Sequence, residues 1–401
     1  MTKVAVLGYG TVGSGVYQVL TENATLIREK AGEAIEVSRV LDLRDFPGDP
    51  AEKLVTHDFE EIEKDAEIDI VVETMGGTKP AYDFVKRSIL AGKSVCTSNK
   101  ALVADHGTEL IRLAEEKGVH FFFEASVGGG IPILRPLNRC LVADEILSIE
   151  GILNGTTNFI LTKMADEGSD YADVLKEAQK LGYAEADPTA DVEGYDTCRK
   201  IAILTALAYG AQVDYEDITT EGISGITSVD IAYAKKMGKV IRLLGMSRRE
   251  DGRLYALVAP FLMGPDSPLY SVNGVFNAIS VTGNMLGEVM FYGQGAGKEA
   301  TASAVVTDII EAVKNREIPV KIRWDEKKQV VESLDHMKNA FFVRIDASEK
   351  SAASDAFDNL TWVDGVADGE VGFVTGVMTE KEFEDRIAGL STIKKRIRSI
   401  S

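Results

Sequence analysis

Short apolar runs alternate with amphipathic segments over the first third of the chain. Lys3–Leu7, Ile35–Leu41, Asp69–Glu73, Ser94–Thr97 and Val119–Glu124 read as strands, being continuous β-branched or aliphatic stretches. Between them, Val12 to about Lys30 carries Val16, Val19, Leu20 and Ile27 near helical spacing. Pro80–Ala91 and Gly107–Lys117 read as two further helices, the second closed by Gly118 as a C-cap. Strands that are apolar throughout and separated by helices predict an α/β domain with a doubly wound parallel sheet covered on both faces.

The pattern changes at Gly128–Gly130 and Pro132. Beyond it, helical patterns at Thr156–Glu167, Tyr171–Leu181 and Thr197–Tyr209 mix with strand patterns at Ser148–Leu153, Val240–Met246, Leu254–Met263 and Glu288–Tyr292. Residues 131–297 are therefore expected to form a second, α+β domain for substrate binding and dimerisation. A return helix over 298–320 is assigned to the first domain, 1–130. From about Asp335, strand patterns at Phe341–Ile345, Val371–Val377 and Ile393–Ile400 surround a helix at Glu380–Ile387. That gives a small accessory α+β tail, 335–401.

Composition narrows the chemistry. The 401 residues hold 44 basic and 63 acidic side chains, a net charge of −19, which disfavours nucleic acid and anionic membrane surfaces as partners. No apolar run reaches the roughly 18 residues that cross a bilayer. The first residues lack the basic and apolar regions of a signal peptide. Cys96, Cys140 and Cys198 are too scattered for a disulfide framework, so a reduced, cytoplasmic location is expected.

Six segments carry candidate chemistry. Gly8-Tyr9-Gly10-Thr11-Val12-Gly13 fits G-x-G-x-x-G between a strand and a helix, the Rossmann context in which glycines admit a pyrophosphate to a helix N-terminus. At the end of the second strand an acid would take a ribose 2′-hydroxyl and an arginine a 2′-phosphate; Asp42 and Arg44 are both present, which leans to NADP or dual use. Thr74 and Gly76 follow the third strand and Lys100 the fourth, all at the crevice end of such a sheet. Glu124 precedes a glycine run, Gly128–Gly130, whose carbonyls suit a hard cation or else form a hinge. Tyr292-Gly-Gln-Gly-Ala-Gly297 is a second glycine-rich entry to a helix. The densest segment runs from Ala178 to Lys200. Between Glu185 and Lys200 it packs five carboxylates and a lysine into sixteen residues, with Asp196 and Lys200 one helical turn apart. Such carboxylates suit a small cationic substrate, and such a lysine suits proton transfer; a surface ion pair or N-cap cluster reads the same way.

That last segment resembles the signature of the homoserine dehydrogenases, from Ala178 through Gly182, Asp187-Pro188, Asp191, Gly194 and Asp196 to Lys200, without a gap. GYGTVGSG, TSNK, EASVGGGIP, NGTTNFI (Asn154–Ile160) and YGQGAG resemble the same family in its order, over about residues 1–320. The resemblance implies reversible oxidation of L-homoserine to L-aspartate 4-semialdehyde with NAD or NADP, on the route to threonine and methionine, by a homodimer. It implies that Lys200 transfers the proton and Lys100 assists, that Glu185 and Asp196 bind substrate, and that Asp191 is a structural acid. Gly10, Thr11, Val12, Gly13, Thr74, Lys100 and Gly297 would touch the cofactor, with Gly8 and Gly76 in the same loops. Glu124 with the carbonyls of Val127, Gly129 and Ile131 resembles a sodium site. Many family members end in an ACT-type domain that senses threonine; here Asp346-Ala-Ser-Glu-Lys replaces the expected glycine-rich turn. A semialdehyde dehydrogenase would need a nucleophilic cysteine, and neither Cys96 nor Cys198 is suitably placed.

Overall fold

The structure is a computed structural model and describes residues 1–318 and 320–400. The chain divides into two compact units. The first comprises Met1–Glu145, Ala202–Tyr215 and Phe291–Gln329; the second comprises Ile146–Ile201, Glu216–Met290 and Val330–Ser401.

The first unit is built on a six-stranded sheet. In chain order its elements are β1 (Thr2–Leu7), α1 (Thr11–Glu22), α2 (Ala24–Ala31), β2 (Ile35–Leu41), β3 (Val55–Thr56), α3 (Phe59–Glu63), β4 (Ile68–Glu73), α4 (Ala81–Leu90), β5 (Ser94–Thr97), α5 (Lys100–Lys117) and β6 (Phe121–Phe122). The strand order is β3-β2-β1-β4-β5-β6 and every pairing is parallel. The order reverses between β1 and β4, which opens a crevice outside the strand C-termini. Val4 to Leu7 are all buried, so both faces of the central strand are covered, as its unbroken apolar run requires. On one face Val4, Val6, Val72 and Cys96 join Val16 and Leu20 of α1 and Val305 and Ile309 of the helix Lys298–Lys314 in one core.

Several boundaries differ from the sequence pattern. The single helix expected over 12–30 is two, divided at Asn23, which leaves helical geometry at φ −99°, ψ 15° and serves both as C-cap and N-cap. The helix expected from Gly107 begins at Lys100, because Asn99 accepts the Leu102 N–H and caps it. Gly107 lies inside it, where a Cβ would stand in ordinary contact with the Trp324 ring at 3.5 Å. The strand expected over 119–124 is only Phe121–Phe122, since Glu124 turns the chain into a short 3₁₀ segment. The return helix ends at Lys314 rather than 320; position 319 lies outside the described residues.

The second unit carries an eleven-stranded sheet. Its main path runs 287–294, 276–283, 146–152, 240–250, 253–263, 395–400, 338–346, 370–374 and 361–363. The strand 276–283 and the helix Ser228–Lys236 were not apparent in the pattern; the helix is set by a Thr227–Asp230 capping box. The tail is strand Lys338–Asp346, helix Lys350–Ala356, strands Thr361–Val363 and Glu370–Val374, helix Glu380–Ile387 and strand Lys395–Ile400. This β-α-β-β-α-β arrangement has its last strand beside its first, and its third between first and second, a split βαβ fold. Its own core includes Phe341, Phe357, Phe373 and Phe383, with the rings of Phe341 and Phe383 stacked at 3.8 Å. The tail is not a separate sheet: its last strand pairs in parallel with 253–263, Phe261 opposite Arg398.

Candidate active site

Two glycines of the first loop are required by different constraints. Gly8 has φ +89°, a conformation L side chains rarely adopt. A Cβ on Gly13 would sit 1.9 Å from the Gly8 carbonyl oxygen, so only glycine lets α1 approach β1 this closely. A Cβ on Gly10 would meet nothing within 4 Å. Gly10 is the N-cap of α1 and brings no side-chain cap, which leaves the first N–H groups, at Thr11, Val12 and Gly13, to an outside acceptor. An open, uncapped helix N-terminus at a topological switch point fits a dinucleotide pyrophosphate. Thr74 Oγ1 donates to the carbonyls of Leu7 and Gly8, at 3.1 and 2.8 Å, and clamps the loop after β4 onto this turn.

Asp42 and Arg44 meet each other. The Arg44 guanidinium donates through Nε and Nη2 to the two Asp42 oxygens at 2.9 and 3.0 Å, and the Tyr9 N–H donates to Asp42 Oδ2 at 2.8 Å. Arg44, then burial opposing it, and then these N–H donors bring the Asp42 carboxyl to a pKa of about 2. The Tyr9 hydroxyl donates to Asp49, so one motif residue holds both ends of the 42–49 loop. Asp42 is thus engaged by the protein, and Arg44 is the exposed member of the pair.

Beneath the loop after β4 lies Glu73, the last residue of that strand, to which the sequence assigned no role. It is fully buried and accepts from Thr97 Oγ1 at 2.5 Å and from the Met75 N–H at 2.8 Å. Burial pushes its carboxyl up, against these donors. Asn99 reaches back to the Gly77 carbonyl at 2.6 Å while capping α5. Gly76, at φ +80°, and Lys100, the first residue of α5, are set by this network.

The other glycine loops pack backbone to backbone. A Cβ on Gly129 would come 2.4 Å from the Gly295 carbonyl oxygen, and the Gly130 N–H donates to the Gln294 carbonyl. Gly297, at φ +120°, is the N-cap of Lys298–Lys314 and has no side-chain cap. Gly15 lets that helix approach α1: its Cβ would lie 3.0 Å from Lys298 and Ala302. The Glu124 carboxylate is already occupied, accepting from the N–H groups of Ile133, Leu134 and Arg135 at 2.6–2.9 Å. A hard cation here would therefore rest on the carbonyls of Val127, Gly129 and Ile131, whose oxygen chemistry fits one. Asp308, buried below, accepts from the Glu124 N–H and the Arg135 guanidinium. Burial pushes its carboxyl up to about 7 while Arg135 pulls it down.

In the second unit Asn154 organises the signature. It caps the helix Gly155–Glu167, accepting from the Thr157 N–H at 2.9 Å. Its amide nitrogen donates to Asp191 Oδ1 at 2.7 Å and to Asp196 Oδ2 at 2.9 Å. Lys200 Nζ lies 2.8 Å from the same Asp196 oxygen and donates to the Leu153 carbonyl at 2.7 Å. Asp191, Asp196 and Lys200 are thereby brought together. Glu185 stands on the exposed loop ahead of them, its carbonyl held by Gln179 at 3.1 Å. An Asn ahead of Gly-Thr-Thr signals an N-cap in the sequence; its bridging of two acids 37 and 42 positions away is visible only in the fold.

A parallel sheet in the 3-2-1-4-5-6 order, with a glycine-rich, uncapped first turn at the switch point, defines a protein with a dinucleotide-binding domain. Residues 8–124 match the family model described as "Homoserine dehydrogenase, NAD binding domain", and residues 132–310 that described as "Homoserine dehydrogenase". The chain belongs to the homoserine dehydrogenase family. The homoserine dehydrogenase of Neisseria gonorrhoeae is 39% identical over 99% of this chain and 93% of its own length. That of Synechocystis is 48% identical over 78% of this chain and 73% of its own. Among solved structures, the homoserine dehydrogenase of Thiobacillus denitrificans superposes with a TM-score of 0.90 at 37% identity, covering 100% of this chain and 98% of that one. A hyperthermophilic archaeal homoserine dehydrogenase in complex with NADPH superposes at 0.67, with 29% identity over 80% of this chain and 99% of its own.

Proposed function

We propose that this chain oxidises L-homoserine reversibly to L-aspartate 4-semialdehyde, with NADP or NAD, in the synthesis of threonine and methionine. The observation that carries the reading is the Asn154-centred cluster, which gathers Asp191, Asp196 and Lys200 inside the segment that matches the family. A nicotinamide held there would supply the hydride acceptor for the substrate's alcohol carbon and return the hydride in the reverse direction. Lys200, as the amine, takes the hydroxyl proton at Nζ during oxidation and returns it during reduction, its position fixed by Asp196 and the Leu153 carbonyl. Asp196 and Glu185 receive the substrate ammonium, and Asp191 holds the loop through Asn154. Lys100 assists from the head of α5. Gly8, Gly10, Thr11, Val12, Gly13, Thr74, Gly76 and Gly297 hold the dinucleotide, with Arg44 displaced from Asp42 to take a 2′-phosphate.

A sodium ion on the carbonyls of Val127, Gly129 and Ile131 is part of this reading, as are a homodimer and a cytoplasmic location. The tail is read as a degenerate ACT-like domain or an accessory dimerisation element. The test is the initial rate of purified protein on L-homoserine with NAD and NADP in parallel, with and without threonine. Reduction of either cofactor supports the reading, and the ratio assigns the preference. A folded protein that binds NADPH but reduces neither cofactor overturns it in favour of a non-catalytic dinucleotide sensor.

A further inference from the structure

The last strand of the tail reaches the signature through one short segment. Arg398, on Lys395–Ile400, is 6% exposed and makes a two-pronged contact with buried Glu380 at 2.5 and 2.9 Å. Its remaining Nη1 donates at 2.8 Å to Glu221, which is 40% exposed. Glu380 takes these two prongs and the Asn339 amide N–H at 3.0 Å, and the third Arg398 contact is directed outward from the tail. Glu221 follows Thr219–Thr220, and its N–H donates to the Val258 carbonyl at 2.7 Å. Lys395, on the same strand as Arg398, donates to the Gly225 carbonyl at 2.7 Å. Residues 221–225 are therefore held at both ends by the final strand.

The other side of that segment lies on the substrate loop. The Ile223 N–H donates to the Val192 carbonyl at 2.8 Å. A Cβ on Gly222 would come 2.5 Å from that carbonyl oxygen and 2.6 Å from Glu193 Cα, so the two backbones touch. Gly194, at φ +83°, has the Thr220 methyl 3.1 Å from where its own Cβ would stand. Val192–Gly194 is the turn between Asp191 and Asp196, the two acids joined by Asn154. A shift of segment 221–223 cannot leave this turn in place, because close-packed backbone has no slack.

We infer that Arg398 is a positioning residue for the substrate loop, acting from the tail through Glu221 and the Ile223–Val192 hydrogen bond. The inference rests on the reading of Asp191–Lys200 as the site for the amino alcohol. It makes the tail part of the apparatus that sets the affinity of the substrate site, whatever else the tail binds.

The test uses E221Q and R398M in the full-length chain, with R398K as the conservative variant. E221Q leaves Arg398 bound to Glu380 and keeps the fold. It is expected to raise KM for L-homoserine roughly fivefold, with kcat and KM for the dinucleotide within about twofold of wild type. R398M should raise it further, and R398K should recover part of the loss. Hydrogen exchange, read over 191–196 and 221–226, should quicken in E221Q. If R398M does not fold, E221Q decides alone. An unchanged KM for homoserine in E221Q, with exchange also unchanged, overturns the inference. If the wild-type protein does not turn over homoserine, the functional reading fails first, and exchange over the two segments still decides whether Glu221 holds the loop.

Discussion

Lys200 Nζ sits 2.8 Å from Asp196 Oδ2, one helical turn away, and both side chains are largely withdrawn from water, at 12% and 4% exposure. A pair at this spacing on an exposed helix contributes about 0.2–0.5 kcal/mol. Here the helix has turned it inward, where Asn154 also donates to Asp196 Oδ2 and Lys200 also donates to the Leu153 carbonyl. K200A is expected to lower kcat by roughly 10³-fold, the scale of a lost acid–base group, while NADPH binding measured by fluorescence stays at the wild-type value. Turnover near wild type would remove Lys200 from the chemistry.

Asn154 offers a sharper comparison. N154A removes a helix cap, at a cost of about 1 kcal/mol, and releases Asp191 and Asp196 together. N154D keeps the cap but points a third carboxylate at two others. Its thermal midpoint should fall below that of N154A at pH 7, and the gap should close as the pH is lowered and a carboxylate takes up a proton. An N154D protein as stable as wild type at neutral pH would contradict the bridging geometry.

Gly10 and Gly13 should separate binding from folding. At position 13 a Cβ meets the Gly8 carbonyl oxygen at 1.9 Å, so G13A forces the helix off the strand and should cost about 3 kcal/mol or more in denaturant unfolding. At position 10 the same Cβ meets nothing. G10A should unfold within about 1 kcal/mol of wild type yet weaken dinucleotide affinity, because the methyl enters the space a pyrophosphate needs. Equal affinity in G10A, measured by calorimetry, would argue against a phosphate there.

Asp42 predicts an acid limb. Its carboxyl is lowered to about 2 in the fold, first by Arg44 and then by N–H donors, against about 3.9 when unfolded. A lowered acid contributes stability that is present above the unfolded value and is lost as pH falls through the folded one. Wild type should therefore lose this stabilisation between about pH 4 and pH 2, and D42N should show a shallower decline over that window in pH-dependent unfolding. R44A, which leaves the Tyr9 N–H contact to Asp42, should lower the NADP-to-NAD ratio of kcat/KM. A ratio that does not move would place 2′-phosphate recognition elsewhere.

Much of this protein is legible in its residues. The parallel sheet follows from apolar strands separated by amphipathic helices. The first turn is fixed by Gly8 and Gly13, because positive φ and close approach are properties of single residues and their neighbours. The proximity of Asp196 and Lys200 follows from helical period alone. What tertiary structure decided is of another kind. Asn154 finds its acids across 37 and 42 positions, Glu73 is buried under Thr97 and Asn99, and Arg398 reaches Glu221 from 177 positions away. The pairing of Asp42 with Arg44, two residues apart, also had to be seen, since neighbours in sequence share no fixed side-chain geometry outside a helix or strand. Local pattern reports which backbone conformation a segment prefers and which face it buries. It carries no record of which polar groups, once buried, will be the only partners within reach.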